Sequence, residues 1–121
     1  RTVSDLNDSN MIGDQFAALL AHFQERYRKV HAALKREVVG GLSLLYTWPG
    51  RDAAAPGVAL MAHQDVVPIA PGTELLWKKP PFAGEVADGF VWGRGTLDDK
   101  SNVITQLEAL EMLLKAGVQS R

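Results

Sequence analysis

Phe16, Leu19, Leu20, Phe23, Tyr27 and Val30 recur at three- and four-residue intervals. That spacing lines one face of an α-helix. The polar residues 1–10 read as extended chain, with Ser9 or Asn10 as the helix cap. The helix should fade before Val38, because Val38-Val39-Gly40-Gly41 reads as strand and turn. Leu42 to Thr47 reads as a strand ended by Pro49-Gly50, and residues 50–57 as a loop of Ala, Pro and Gly. Val58-Ala59-Leu60-Met61-Ala62 is apolar without alternation. A run of that kind predicts a strand covered on both faces, as in the middle of an α/β sheet. His63 follows at its end. Four prolines (Pro68, Pro71, Pro80, Pro81) make residues 66–81 an ordered, irregular loop. Asp88-Gly89 is a two-residue turn signal, so Phe82 to Gly93 reads as a hairpin. A second helix starts near Asp98–Lys100, buries Val103, Ile104, Leu107, Leu110 and Leu114, and stops at Gly117. The order of helix, strand, strand, loop, hairpin and helix is an α/β pattern. Ligands in such sheets bind at the carboxyl ends of strands, where His63 stands.

Composition narrows the chemistry. The chain has 121 residues, enough for one domain with a modest core. Its formal charge of −1 gives no argument for nucleic acid or a membrane surface as partner. The basic cluster Arg26, Arg28, Lys29, Lys35 and Arg36 is interleaved with acids and reads as a solvated face. There is no cysteine, so disulfides and thiolate metal sites are excluded and any metal must be held by His and carboxylates. No apolar run approaches the ~20 residues of a membrane helix. The cytoplasm is the default expectation; a chain starting at Arg1 rather than Met leaves room for an upstream signal or anchor.

Two short stretches carry the candidate chemistry. In His63-Gln64-Asp65, extended chain points residues 63 and 65 the same way. A metal-bound imidazole commonly donates its other ring N–H to a carboxylate, a role open to Asp65, which could also ligate directly. In Gly93-Arg94-Gly95-Thr96-Leu97-Asp98-Asp99-Lys100, two adjacent carboxylates open a helix. Helix capping alone could account for them. The glycines, however, let the backbone pass close to another group. A carboxylate can bridge two cations, as a site with ions ~3.5–4 Å apart requires. Gly93-x-Gly95 lacks the third glycine and the Gly-Lys-Ser/Thr of phosphate loops. His22 and His31 stand nine positions apart, 2.5 helical turns, and face opposite sides. They read as surface or stripe-flanking residues. Glu108 and Glu111 lie about 15 Å along the helix from Asp98 at 1.5 Å per residue, too far to join a metal there. Glu85 has no assigned role. Trp48, Trp77 and Trp92 read as core or rim packing.

Met61-Ala62-His63-Gln64-Asp65-Val66-Val67-Pro68, Trp77, Pro81-Phe82, Asp88-Gly89 and Gly93 to Lys100 together resemble the N-terminal segment of the M20 family of metallopeptidases. That family includes aminoacylases, carnosine-type dipeptidases, glutamate carboxypeptidases and carboxypeptidase S. Arg1-Thr2-Val3-Ser4 also looks like the family's segment just after its first helix. The match runs end to end, and looks nearest to carboxypeptidase S-like members. The resemblance implies a partial three-layer sandwich, a mixed β-sheet flanked by helices. It implies that His63 ligates one metal, that Asp98 bridges two, and that Asp65 orients His63. Asp99 then follows Asp98 across a peptide bond often cis in the family, serving geometry rather than ligation. Zinc is the usual metal for such ligands, with Co2+ or Mn2+ as alternatives. Trp77 and Phe82 are implied to wall the substrate cleft.

The implied reaction is attack of metal-activated water on an amide of a peptide or N-acyl amino acid, with a glutamate moving the proton. The family's Glu-Glu pair, further acidic ligand and late histidine have no match here. Residues 1–121 are therefore expected to be the N-terminal portion of the catalytic domain, without its C-terminal part or the lid and dimerisation domain. Alone, such a chain should bind metal weakly or not at all, show no turnover, and self-associate through an open sheet edge. The full protein is expected to be a homo-oligomer. The rival is a non-catalytic binding or dimerisation module derived from the same fold.

Overall fold

The computed structural model describes residues 1–4 and 13–121. The cap expected at Ser9 or Asn10 lies outside the described residues. The first apolar stripe forms two helices rather than one, α1 (Gly13–Arg26) and α2 (Arg28–Ala33). The break falls at Tyr27, with φ −107° and ψ 60° and no proline or glycine to cause it. A carboxylate from elsewhere does so. Glu111, 3% exposed, accepts the backbone N–H of Lys29 at 2.9 Å and of Val30 at 3.1 Å. Those are orphan donors of the first turn of α2, which has no side-chain cap of its own. A group inserted into the hydrogen-bond ladder is a recognised cause of a kink.

A hairpin follows, β1 (Lys35–Val39) and β2 (Ser43–Thr47), antiparallel with Lys35 opposite Thr47 and Val39 opposite Ser43. The strand thus begins before Val38, because the ladder extends through the polar positions 35–37. Leu44 and Tyr46 point inward, while Leu45 faces out. A second antiparallel hairpin, β3 (Glu85–Ala87) and β4 (Phe90–Trp92), turns at Asp88-Gly89 as expected. Both turn residues have positive φ, 55° and 78°, the requirement of the tight turn that this dipeptide favours. The helix α3 (Lys100–Lys115) ends before Gly117, at φ 74°.

The core gathers Phe23, Tyr27, Val30, Leu34 and Leu107, with Leu44, Tyr46, Trp48, Val103, Leu110 and Leu114 packed around it. Both helical stripes and the inner face of β2 therefore meet in one cluster. Ile104, expected within that stripe, is partly exposed. His31, on α2, donates from Nδ1 to the Tyr27 carbonyl at 2.8 Å and accepts at Nε2 from the Tyr46 hydroxyl at 2.9 Å. It is a structural link between helix and hairpin.

The sheet differs from expectation. The described residues form two separate two-stranded sheets and a single parallel bridge, Val3 to Val66, rather than a mixed sheet between helix layers. Val58–Ala62 is not a strand. Val58 is 88% and Met61 87% exposed. A strand exists only through bonds to a neighbour, and no described strand lies alongside this run. The fold is therefore an α/β arrangement of helices on small antiparallel sheets.

Candidate metal centre

The extended run Gly57–Ala62 delivers His63 to the start of α3. The His63 backbone N–H donates to Asp99 Oδ2 at 3.1 Å, and Gln106 of α3 donates to the Met61 carbonyl at 3.2 Å. These bonds substitute for the missing ladder and tie the arm to the helix. On the other side, Gly95 comes close to Val66. Its φ is +89°, and a Cβ there would stand 2.8 Å from Val66 Cγ1. The close backbone passage expected of these glycines is present at Gly95, and Val66 is what approaches it.

The structure brings His63, Asp65, Asp98 and Asp99 together. His63 Nε2 lies 2.9 Å from Asp98 Oδ1. Its Nδ1 lies 3.1 Å from both Asp65 Oδ1 and the Asp65 carbonyl. The Asp98–Asp99 peptide bond is cis. Asp99 turns inward, its carboxylate taking the His63 N–H and the Asn102 side-chain amide. Asp98 projects outward, its side chain 86% exposed. The Asp98 hydrogen bond raises the His63 pKa above its ordinary value; slight desolvation opposes this, and Asp65 adds to the rise. The Ser4 hydroxyl lowers the Asp65 pKa; partial burial opposes, and His63 assists.

This donor set fits part of a zinc site. Two ligands about 2.0–2.1 Å from a tetrahedral ion stand about 3.3 Å apart; the Nε2–Oδ1 pair, 2.9 Å apart and hydrogen-bonded, would have to open by about 0.4 Å to admit one. Imidazole and carboxylate are the ligands zinc takes in open sites. The set is short, however: among the described residues no group of three or more His, Asp or Glu could hold a metal. Glu108 pairs with Arg26 at 3.3 Å, Glu111 is committed to α2, and Glu85 pairs with Lys79 at 2.5 Å. None of them groups with His63 and Asp98 among the described residues.

A hollow of about 620 Å³ lined by His22, Arg26, Lys29, Glu111 and Lys115 lies among the helices. Two of its cations are already paired with Glu108 and Glu111. Trp77 lies under the Arg94 guanidinium, 5.0 Å from ring centre to Cζ, and Trp92 Nε1 donates to the Ala87 carbonyl at 3.0 Å. Sequence reasoning missed Thr2 and Ser4. Thr2 Oγ1 donates to the Gln64 carbonyl at 2.6 Å, and the Ser4 hydroxyl donates to Asp65 Oδ2. Only the end-to-end match pointed to that segment. No described helix is long and apolar enough to cross a membrane.

Comparison with known proteins supplies the remaining context. Carboxypeptidase S of Saccharomyces cerevisiae is 45% identical over 104 residues, 84% of this chain and 18% of the yeast protein. The N-fatty-acyl-amino acid synthase/hydrolase of Xenopus tropicalis is 42% identical over 114 residues, 89% of this chain and 22% of its own. The probable carboxypeptidase S-like 2 of Dictyostelium discoideum is 40% identical over 110 residues, 86% and 20% respectively. The chain thus spans about a fifth of the length of these curated relatives. No solved structure matched. The profile of peptidase family M20/M25/M40 matches residues 59–121, more than half the chain and the stretch that holds His63, Asp65, Asp98 and Asp99, and the chain belongs to that family.

Proposed function

We propose that this chain is the N-terminal part of the catalytic domain of a zinc-dependent hydrolase that cleaves amide bonds of peptides or N-acyl amino acids. The observation that carries the reading is the convergence of His63 Nε2 and Asp98 Oδ1 at 2.9 Å in the open, with Asp65 behind the imidazole. The printed activities of the relatives, a carboxypeptidase and an N-fatty-acyl-amino acid synthase/hydrolase, support the substrate class. His63 and Asp98 are the direct ligands, Asp98 with a second oxygen free to bridge. Asp65 accepts from His63 Nδ1, and the Nε2–H donates to Asp98 Oδ1; a metal bound between them would take the place of that Nε2 proton. Asp99 holds the His63 backbone. Zinc, when bound, would polarise the scissile carbonyl and acidify water to a pKa near 7.

The general base and the remaining ligands come from polypeptide beyond these residues, so the isolated chain is inactive. In the whole protein, Val58–Ala62 takes its place as an inner strand of a sheet between helix layers, and the protein assembles as a homo-oligomer. The test uses the full-length protein. It should contain zinc by elemental analysis and hydrolyse an N-acyl amino acid or a peptide at its carboxyl end. His63→Ala and Asp98→Asn should each remove metal and at least 10³-fold of turnover, on the order expected when a metal and its water are lost. A zinc-loaded wild-type protein that hydrolyses neither substrate class would overturn this reading in favour of a binding module.

A further inference from the structure

The two oxygens of Asp65 go different ways. Oδ1 faces His63 Nδ1, and Oδ2 accepts the hydroxyl of Ser4. Ser4 is brought there by a short parallel pairing. The Val66 N–H donates to the Thr2 carbonyl at 2.9 Å, and the Ser4 N–H donates to the Val66 carbonyl at 3.1 Å. Thr2 is 1% exposed and accepts at Oγ1 from Lys100 Nζ at 2.6 Å, while donating to the Gln64 carbonyl. Lys100 directly follows Asp98 and Asp99. Residues 2–4 therefore touch both arms of the centre, one at Gln64–Val66 and the other at Lys100.

Rotation of a carboxylate about its last torsion is broad and two-fold. One hydrogen bond leaves that rotation loosely set, whereas a donor on each oxygen fixes the plane. The competing acceptor is close, since the Asp65 carbonyl lies as near His63 Nδ1 as Oδ1 does. We propose that Ser4 is a positioning residue for His63: by fixing the Asp65 carboxylate it sets the imidazole plane and so the direction in which Nε2 presents its lone pair to a metal. This rests on the reading of His63 and Asp98 as ligands. Groups that orient a metal-bound histidine typically change metal affinity by 10–100-fold when altered.

The test compares Ser4→Ala and Ser4→Thr in the full-length protein. Zinc affinity is measured by competition with a chromogenic chelator, and geometry by the visible absorption of the Co2+-substituted protein. Ser4→Ala should weaken zinc binding about tenfold and shift the Co2+ bands, with the thermal midpoint of the metal-free protein unmoved. Ser4→Thr, which keeps a hydroxyl, should restore both readouts. If Ser4→Ala does not fold, Ser4→Cys, similar in size but a weak donor, is measured by the same criteria. Unchanged affinity and spectrum in the variant lacking the hydroxyl, or a Ser4→Thr protein as impaired as Ser4→Ala, would overturn the inference alone. A wild-type protein that binds neither Zn2+ nor Co2+ would overturn the ligand reading, and this inference with it.

Discussion

Gly95 adopts φ +89° within van der Waals reach of Val66. Alanine there meets both a strained backbone and a collision at 2.8 Å. Gly95→Ala should destabilise the protein by about 1–3 kcal/mol, seen as a lower thermal midpoint. It should also weaken metal retention, because Val66 adjoins Asp65. Asp65→Asn replaces an acceptor-only carboxylate with an amide that can turn its NH2 toward His63. Zinc affinity should fall about 10–100-fold, and an equilibrium chelator titration reads it directly. The residue scale was partly legible. His63 and Asp65 share a face because positions two apart in extended chain do, but their roles at a metal came from the family resemblance rather than from that spacing. Asp98 and Asp99 were found as paired acids at a helix start. Ser4 was not, because its bond to Asp65 spans 61 positions and a lone serine carries no periodicity.

At the scale of elements, the tie between α3 and α2 decides how the helices sit. Glu111→Ala leaves two N–H groups of α2 without their acceptor, at a cost of about 2 kcal/mol. Glu111→Gln, which keeps one carbonyl oxygen, should cost less; denaturant unfolding at neutral pH separates the two. Burial pushes the Glu111 pKa up, but the Val30 N–H, the Lys115 ammonium and the Lys29 N–H together pull it below the ordinary value. A depressed carboxylate pKa means stability fully present above the unfolded value of about 4.3 and lost as pH falls through the lower folded value. Glu111→Gln should flatten that acid limb of the stability profile. The stripes at 16–30 and 103–114 and the Asp88-Gly89 turn were readable because their signals are local. The kink at Tyr27 was not, since nothing near it in sequence breaks a helix and its cause lies on α3.

Taken as a whole, the molecule leaves Val58, Leu60 and Met61 in solvent, along with Val86, Phe90 and Val91 of the second hairpin. Exposed apolar surface of this kind drives association. The isolated 121-residue chain should self-associate, and Leu60→Lys with Met61→Lys should reduce the effect. Light scattering that gives the mass of one chain at high concentration would contradict this. The apolar run at 58–62 reads as an inner strand, but in the structure no described strand pairs with it and it stays exposed; a strand's partners are not written in its own residues. The α3 helix has one more consequence. It begins just after Asp98, and Glu111 anchors it near its far end, about 17 Å away at 1.5 Å per residue. A tilt of about 3° about Glu111 would swing the Asp98 end by about 1 Å, and in the full-length hydrolase proposed above a displacement of that size would cost roughly 10²-fold in rate. Core substitutions at Tyr27 or Val30 would then appear in an assay as catalytic lesions, with every residue of the metal centre still in place.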